Sequence, residues 1–394
     1  MKALMGYAAH VRRHSSISTL RITMEPGEIF KSMDALSGLS EIDRKAIFDK
    51  KPTIQAFISN LKKNKYSKIL VLAGAGISVS AGIPDFRSPK SGLFHNLQKY
   101  KLPQPEAIFD LGFFRHNPEP FFQLSKEIYP TNFQPTLTHR FFQLLDKKNM
   151  LLRVYTQNID TLERQTGITS DKIIECHGSY ATNTCQTCRK QYSQSWFKDK
   201  IFAKRSDDTV VIPTCDECNG IVKPDITFYG ENLPEIFGQM YKMDVEQADA
   251  LIVLGTSLQV YPVASLVDLV KPNVPRVLIN RDCVHRANYL GKVSKGTFQI
   301  STDGFWFGKK ELDKHNYRDI FVQGDCDKIV QDICSSCGWL DELKQLSSKN
   351  NDGDEKDPNE KSAAHVEEAE ATSTKNQGDR NDLASMIDGL SLKE

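Results

Sequence analysis

The sequence predicts an α/β protein built on a doubly wound parallel sheet, and three observations carry that prediction. Short apolar runs of strand length recur at 69–72, 151–155, 172–175, 250–254 and 276–279, with helical stretches between some of them. Each run is followed by a polar or glycine-rich cluster: Gly74-Ala75-Gly76, Thr156-Gln157-Asn158-Ile159-Asp160, His177-Gly178, Gly255-Thr256-Ser257 and Asn280-Arg281-Asp282. Open α/β sheets bind ligands beyond the carboxyl ends of their strands, so five such clusters predict one shared site. A chain of 394 residues with 39% hydrophobic content can bury the core such a sheet needs.

Charge and cysteine usage narrow the class. Lysine plus arginine, 51, nearly cancel aspartate plus glutamate, 50, so no global field recruits nucleic acid or an anionic membrane. Nowhere do about 18 apolar residues run together, so no transmembrane helix is expected. Four of the nine cysteines form two CxxC pairs, a pattern of a reducing compartment with a metal site rather than of a disulfide frame.

Residues 1–24 carry Lys2, Arg12, Arg13 and Arg21, with no acid before Glu25. That composition fits a mitochondrial transit peptide, and the plainer alternative is a disordered basic leader. From 41 to 64, Ile42, Ile47, Phe48, Ile54, Phe57, Ile58 and Leu61 recur at helical spacing, and Pro52 divides them into two short packing helices. The apolar run at 69–72 then empties into Gly74-Ala-Gly76-Ile77-Ser78, a turn that suits the approach of a ligand phosphate to the backbone. It is not the usual dinucleotide fingerprint: Val79 stands where a third glycine is expected, and no strand ending in an acid follows about 20 residues on. A tight strand-to-helix connection explains the turn equally well on its own.

Residues 91–135 are rich in Phe and Pro and read as a helical insertion with an aromatic core, a few of whose rings line an apolar channel. An amphipathic helix is predicted over 138–149, with Phe141, Phe142, Leu144 and Leu145 inward. Between His177 and Asp225 no long apolar strand occurs. Instead Cys185-Gln-Thr-Cys188 and Cys215-Asp-Glu-Cys218 stand 26 residues apart. Two such knuckles complete a tetrahedral Zn²⁺ site, and four thiolates leave no open position, so that zinc would be structural, one per chain. The third pair, Cys334 and Cys337, lies in an apolar helical stretch over 329–343 and reads as core, whereas Cys326 follows the short strand 320–322 and borders the ligand crevice. From 347 onward the composition is that of a disordered acidic and polar tail.

With Gly74-Ala-Gly-Ile-Ser78, Gly82-Ile-Pro-Asp-Phe-Arg87, Tyr155-Thr-Gln-Asn-Ile-Asp160, His177-Gly178, the paired CxxC, Val222-Lys-Pro-Asp-Ile226, Phe228-Tyr-Gly-Glu231 and Gly255-Thr-Ser257 in order, the chain closely resembles the sirtuins, NAD-dependent protein deacylases. The resemblance covers roughly residues 46–346 and points to the class I branch. Around Tyr317-Arg-Asp and Gly324-Asp-Cys-Asp327 it is nearest the cytosolic member, while the first CxxC and Asn280-Arg-Asp282 look as much like the mitochondrial one.

The resemblance implies a Rossmann-like domain formed by 46–90, 136–176 and 235–346. It also implies a small domain made of the insertion 91–135 and a zinc-binding module 177–234, between a leader 1–45 and a tail 347–394. NAD would lie across the strand ends, against Gly74, Ala75, Gly76, Ile77, Ser78, Asp85, Phe86, Arg87, Gln157, Asn158, Ile159 and Asp160 on one side. Gly255, Thr256, Ser257, Asn280, Arg281, Asp282 and Cys326 would surround its adenosine half. His177 would be the general base, with Asn158 and Asp160 as catalytic partners that hold the nicotinamide carboxamide. The acyl carbonyl would attack the ribose, giving an alkylimidate and then free lysine, nicotinamide and O-acyl-ADP-ribose. An acyl-lysine peptide would add as a strand against Val222, Asp225, Phe228, Gly230, Glu231 and Val260.

Thr227 and Tyr229 depart from the family's usual Val and Phe, which leaves acetyl versus longer acyl preference open. The partners implied are acylated lysine proteins, histones and tubulin-like proteins among them, with no nucleic acid and no membrane. The compartment implied is cytoplasm and nucleus, with the mitochondrial matrix as the alternative. Rival readings are an ADP-ribosyltransferase or long-chain deacylase on the same fold, and a silent NAD-sensing scaffold. The scaffold is disfavoured because His177, Asn158 and Asp160 are all present.

Overall fold

The computed structural model describes residues 19–23, 38–49, 51–85, 92–130, 133–204, 210–286, 289–294, 297–301, 304–307 and 315–348. The rest of the leader, Phe86, Arg87 and the tail from 349 fall outside them, so the expectations for those segments are not addressed by the fold. In chain order the strands are β1 (Thr19–Thr23), β2 (Ile69–Ala73), β3 (Leu151–Thr156), β4 (Ile173–Glu175), β5 (Gly178–Cys185) and β6 (Gln191–Ser193). They continue as β7 (Val222–Ile226), β8 (Ala250–Leu254), β9 (Arg276–Asn280), β10 (Tyr289–Ser294), β11 (Thr297–Ser301) and β12 (Asp319–Gln323).

Six of these form the expected parallel sheet, in the order β12-β9-β8-β2-β3-β4. β2 sits in the middle, and all five of its residues are buried, as a strand covered on both faces must be. Its side chains alternate: Ile69, Val71 and Ala73 join one core cluster, Leu70 and Leu72 the other. The predicted helices pack on the Ile69, Val71 and Ala73 face of this sheet, through Ile47, Phe57, Leu61, Phe141 and Leu145 among others. Pro52 does separate α1 (Glu41–Ile47) from α2 (Ile54–Lys62), and Ser40 opens α1 through a capping box with Asp43.

The insertion contributes α3 (Leu111–His116) and α4 (Glu119–Ile128), and the chain returns to the sheet through α5 (Leu137–Lys147). Then come α6 (Gln194–Phe202) in the cysteine module and α7 (Glu235–Gln247). The single helix expected over 329–343 is two, α8 (Cys326–Cys337) and α9 (Leu340–Ser348). Gly338 divides them at φ +78°, a left-handed C-cap that glycine adopts without strain. Cys334 and Cys337 are buried in the core beside Val330 and Ile333.

Two further differences concern strands. β5, an eight-residue strand, forms in the stretch where none was apparent, because Gly178-Ser-Tyr-Ala-Thr-Asn-Thr-Cys185 is mostly polar and pairs antiparallel with β6 and β7. Within the leader, β1 pairs with β11 in register from Thr19 opposite Ser301 to Thr23 opposite Thr297, so those five residues are strand rather than disordered. A partner nearly 280 residues away gives no local signal.

The insertion and the cysteine module share one core. Phe109, Phe114, Phe121 and Phe122 pack with Tyr180, Phe197 and Phe228. Phe228 meets Phe114 and Phe121 edge-on at centroid distances of 5.3 and 4.9 Å. Such pairs add about 0.5–1.5 kcal/mol each beyond area burial, which fixes the Phe228 segment to the insertion.

Candidate active site

The parallel register of the sheet runs on into its loops. Gly74 N donates to Leu254 O (3.0 Å), Gln157 N to Ala73 O (2.9 Å), Cys176 N to Thr156 O (2.9 Å), Gly255 N to Ile279 O (3.1 Å) and Gly324 N to Asn280 O (3.0 Å). These bonds hold neighbouring loops shoulder to shoulder, and the five polar clusters do border one crevice of about 550 Å³. The glycines in it serve packing as much as any ligand. A Cβ on Gly74 would stand 2.6 Å from Thr256 Cβ, and one on Gly76 2.7 Å from Gly255 Cα. The amides of Gly76, Ile77 and Ser78 donate to Gly255 O, Gly74 O and Ala75 O. The turn is thus a close contact between β2 and β8 loops as well as a wall of the crevice.

His177, just past β4, has the arrangement of a base. Its Nδ1 lies 3.0 Å from the Gln157 carbonyl, which can only accept, so Nδ1 carries the proton and Nε2 keeps its lone pair. Nε2 is buried without a hydrogen-bond partner on the crevice side. Burial holds the ring below its ordinary pKa, against a smaller upward pull from the Gln157 hydrogen bond.

Behind β3, Asn158 donates its amide N–H to Thr156 Oγ1 (3.1 Å) and its Nδ2 to Ser78 Oγ (3.3 Å), leaving Oδ1 unpartnered. Ser78 Oγ donates to Asp160 Oδ2 at 2.6 Å. Gln157 accepts Thr256 Oγ1 at 2.6 Å and leaves Nε2 unpartnered. Three unsatisfied buried polar atoms, a donor, an acceptor and a basic nitrogen, thus face or flank one crevice, as a built ligand site requires.

Ala75, Gly76, Asp85, Gln157, Asn158 and Ile159 line the crevice from one side, and Gly255, Thr256, Ser257, Asn280, Arg281, Asp282 and Cys326 from the other. Asn280 Nδ2 bridges to Thr256 O (3.2 Å) and Asp282 O (2.9 Å), and burial pushes the Cys326 thiol up to about 12. Gly74, Ile77, Ser78 and Asp160 stand behind this lining: Ile77 belongs to the core, and Ser78 and Asp160 bond to each other. Phe228, Gly230 and Glu231 of the small domain and Val260 of the large one also line the crevice.

Val222 and Asp225 are elsewhere. Val222 is buried with Cys185, Cys215 and Tyr192, and Asp225 accepts Thr182 Oγ1 at 2.6 Å. Phe109 of the insertion reaches the crevice, as its aromatic composition suggested. Lys223 was not singled out in the sequence. Its Nζ, almost wholly buried, bonds Ile226 O (2.7 Å), Pro224 O (3.1 Å) and Glu231 Oε2 (3.1 Å), and Glu231 Oε2 also accepts Phe228 N (2.8 Å). A lysine between two apolar-looking motif positions gives no signal of this clamp.

In the cysteine module the Sγ atoms of Cys185, Cys188, Cys215 and Cys218 lie within 4.8 Å of one another, with two pairs at 3.5 Å. A tetrahedral ion with Zn–S bonds of about 2.3 Å separates its sulfurs by about 3.8 Å, so the set fits one.

A crevice at parallel strand ends, with an unprotonated histidine nitrogen on one of its lining residues, is the arrangement of a ligand-binding site in an α/β protein. Comparison with known proteins gives the family. The Sir2 family model matches residues 74–262. The chain is 42% identical over 330 residues to the NAD-dependent protein deacetylase sirtuin-2 of Danio rerio, covering 81% of this chain and 83% of that one. It is 43% identical over 301 residues to the NAD-dependent protein deacetylase sirtuin-3 of Mus musculus, covering 76% and 81%. It is 45% identical over 310 residues to the NAD-dependent deacetylase sir2A of Dictyostelium discoideum, covering 78% of this chain and 56% of that longer relative. The chain belongs to the Sir2 family.

Proposed function

We propose that the chain is an NAD-dependent protein-lysine deacetylase that converts an acetyl-lysine, NAD and water to lysine, nicotinamide and O-acetyl-ADP-ribose. The observation that carries this reading is the His177 Nε2 lone pair, oriented by Gln157 O on a residue that lines a crevice of about 550 Å³. NAD supplies an activated ribose carbon and a nicotinamide leaving group. The chain's own groups bind and orient it: Gln157 Nε2 and Asn158 Oδ1 are the donor and acceptor available to a carboxamide. His177 Nε2 takes the proton of a ribose hydroxyl. Phe228, fixed by the aromatic core, forms an apolar part of the same wall.

The four thiolates hold a structural Zn²⁺, supported by their mutual distances and by the closed ligand set. Substrates are acetylated proteins, and histones and tubulin-like proteins are the kinds that the family resemblance suggests. The location that the family resemblance suggests is cytoplasm and nucleus, with the mitochondrial matrix as the alternative that the basic, acid-free residues 1–24 suggest.

Mass spectrometry of peptide, nicotinamide and acyl-ADP-ribose in one time course tests the reaction. Equal, NAD-dependent formation of the three products is expected. Nicotinamide release with ADP-ribose left on protein would replace this reading by the transferase, and no turnover on acetyl or longer acyl peptides by the silent scaffold.

The Lys223 clamp predicts a second result. Lys223→Met removes the cation that ties Ile226 O and Glu231 together, and breaking a buried pair from one side costs about 3 kcal/mol, less here because Glu231 is partly exposed. The peptide KM is expected to rise roughly tenfold, about 1.4 kcal/mol, with the NAD KM little changed. Equal change in both would show that the clamp supports the whole crevice.

A further inference from the structure

Three ionisable side chains lie directly behind the crevice wall, and the sequence did not mark them as a group. His139 on α5, and Asp160 and Glu163 in the segment after β3, bring ligand-type atoms within 4.8 Å of one another, and all three are almost wholly buried. Among the described residues no cation pairs with either carboxyl. The neighbouring Arg164 guanidinium is taken up by Glu175, at 2.8 and 2.5 Å. The His139 ring is neutral, since its Nδ1 accepts the Thr136 amide at 3.2 Å and the proton therefore sits on Nε2, 3.9 Å from Glu163 Oε1. A protonated Nε2 has no lone pair for a metal, so the trio is not a cation site.

Two buried carboxyls this close, without a cation, do not both ionise near neutrality. Hydrogen-bond donors decide which one holds the charge. Asp160 receives two, Ser78 Oγ–H at 2.6 Å and Leu162 N–H at 3.1 Å, whereas Glu163 has the Thr156 hydroxyl alone and its Oε1 has no partner. The charge therefore belongs to Asp160. Ser78 has one hydroxyl proton, and giving it to Asp160 leaves the oxygen free to accept Asn158 Nδ2. A neutral Asp160 would instead offer its own proton to Ser78 and disturb that chain.

We propose that Glu163 is a positioning residue: as the protonated member of the buried Asp160–Glu163 pair it keeps Asp160 ionised, and through Ser78 it fixes the amide orientation of Asn158. The functional meaning of that orientation rests on the deacetylase reading; the protonation does not. Burial first, and Asp160 next, push Glu163 up to about 8, with Glu175 adding to the rise and the Thr156 hydroxyl opposing it. The other groups facing it leave its proton in place. His139 is held down at about 3 by burial, the Cys176 thiol is pushed well up by burial and stays protonated, and Arg164 is engaged by Glu175.

The sign of the pH effect follows. Between the ordinary glutamate value of 4.5 and about 8, the folded chain keeps a proton that the unfolded chain has lost, so Glu163 lowers stability increasingly across that window. Glu163→Gln in the full chain preserves shape and neutrality. The melting temperature of the variant relative to the parent is expected to rise by at least about 3 °C between pH 5 and pH 8. The alkaline limb of kcat/KM should move to higher pH, with activity at pH 7 retained. A difference in melting temperature that is constant with pH, with superimposable rate profiles, would overturn the proposal. Should the variant not fold, carboxyl-carbon NMR of the parent reads the same proton directly. A buried glutamate carboxyl still protonated at pH 7 supports the assignment, and its complete ionisation by pH 6, or a protonated aspartate in its place, overturns it. A parent without NAD-dependent turnover would count against the deacetylase reading alone, since the melting and NMR results do not depend on activity.

Discussion

His177→Ala is expected to lower kcat/KM for NAD-dependent deacetylation by about 10²- to 10⁴-fold, the range a positioned general base contributes. The loss should fall on kcat, because the ring's hydrogen bond within the protein is to Gln157 O and its other nitrogen faces the crevice. Rapid-quench turnover together with calorimetric NAD titration checks this: binding is retained while turnover is lost. The parent's pH profile adds an independent reading. A base works above its pKa, and burial holds His177 below the ordinary 6.5, so the acid limb of kcat/KM, which reports the free enzyme, should lie below pH 6.5. An alanine variant within tenfold of the parent would remove His177 as the base.

Cys215→Ser should have a comparably large effect by another route. Cys215 is buried with Cys185, Tyr192 and Val222, a cluster too small to hold the knuckles together by apolar burial. In zinc-finger peptides the metal contributes about 10 kcal/mol or more of apparent folding free energy, so a closed site that loses a thiolate loses much of its module's stability. The expected result is a fall from one zinc per chain to nearly none by elemental analysis, with early melting of the small domain. Because Val222 begins β7, which ends at the crevice wall, peptide turnover should fall with it. Full zinc occupancy in both Cys215→Ser and Cys185→Ser would refute the four-thiolate assignment.

Much of the fold was legible because its signals are local. Apolar runs of four or five residues announced β2, β3, β8 and β9, Pro52 announced the break between α1 and α2, and CxxC spacing announced the thiol cluster. β5 was not legible, since a polar strand within a small antiparallel sheet is stabilised by its neighbours, not by its composition. β1 was hidden for the same reason, its partner β11 lying far along the chain, at Thr297–Ser301.

The site divides in the same way. The sequence by itself determined which residue types end each strand, and therefore that glycines, amides, a histidine and hydroxyls meet at one edge of the sheet. Only the tertiary structure decided what each one does there. It turned Gly74 and Gly76 into a packing contact with Gly255, aimed His177 Nε2 by giving Nδ1 a carbonyl, and occupied Glu231 with Lys223. It also moved Val222 and Asp225 to other duties, and brought His139 and Glu163 behind Asp160. The physical reason is that side-chain identity is a property of one position, whereas protonation, orientation and burial depend on distances of 3 to 5 Å to groups supplied from distant parts of the chain.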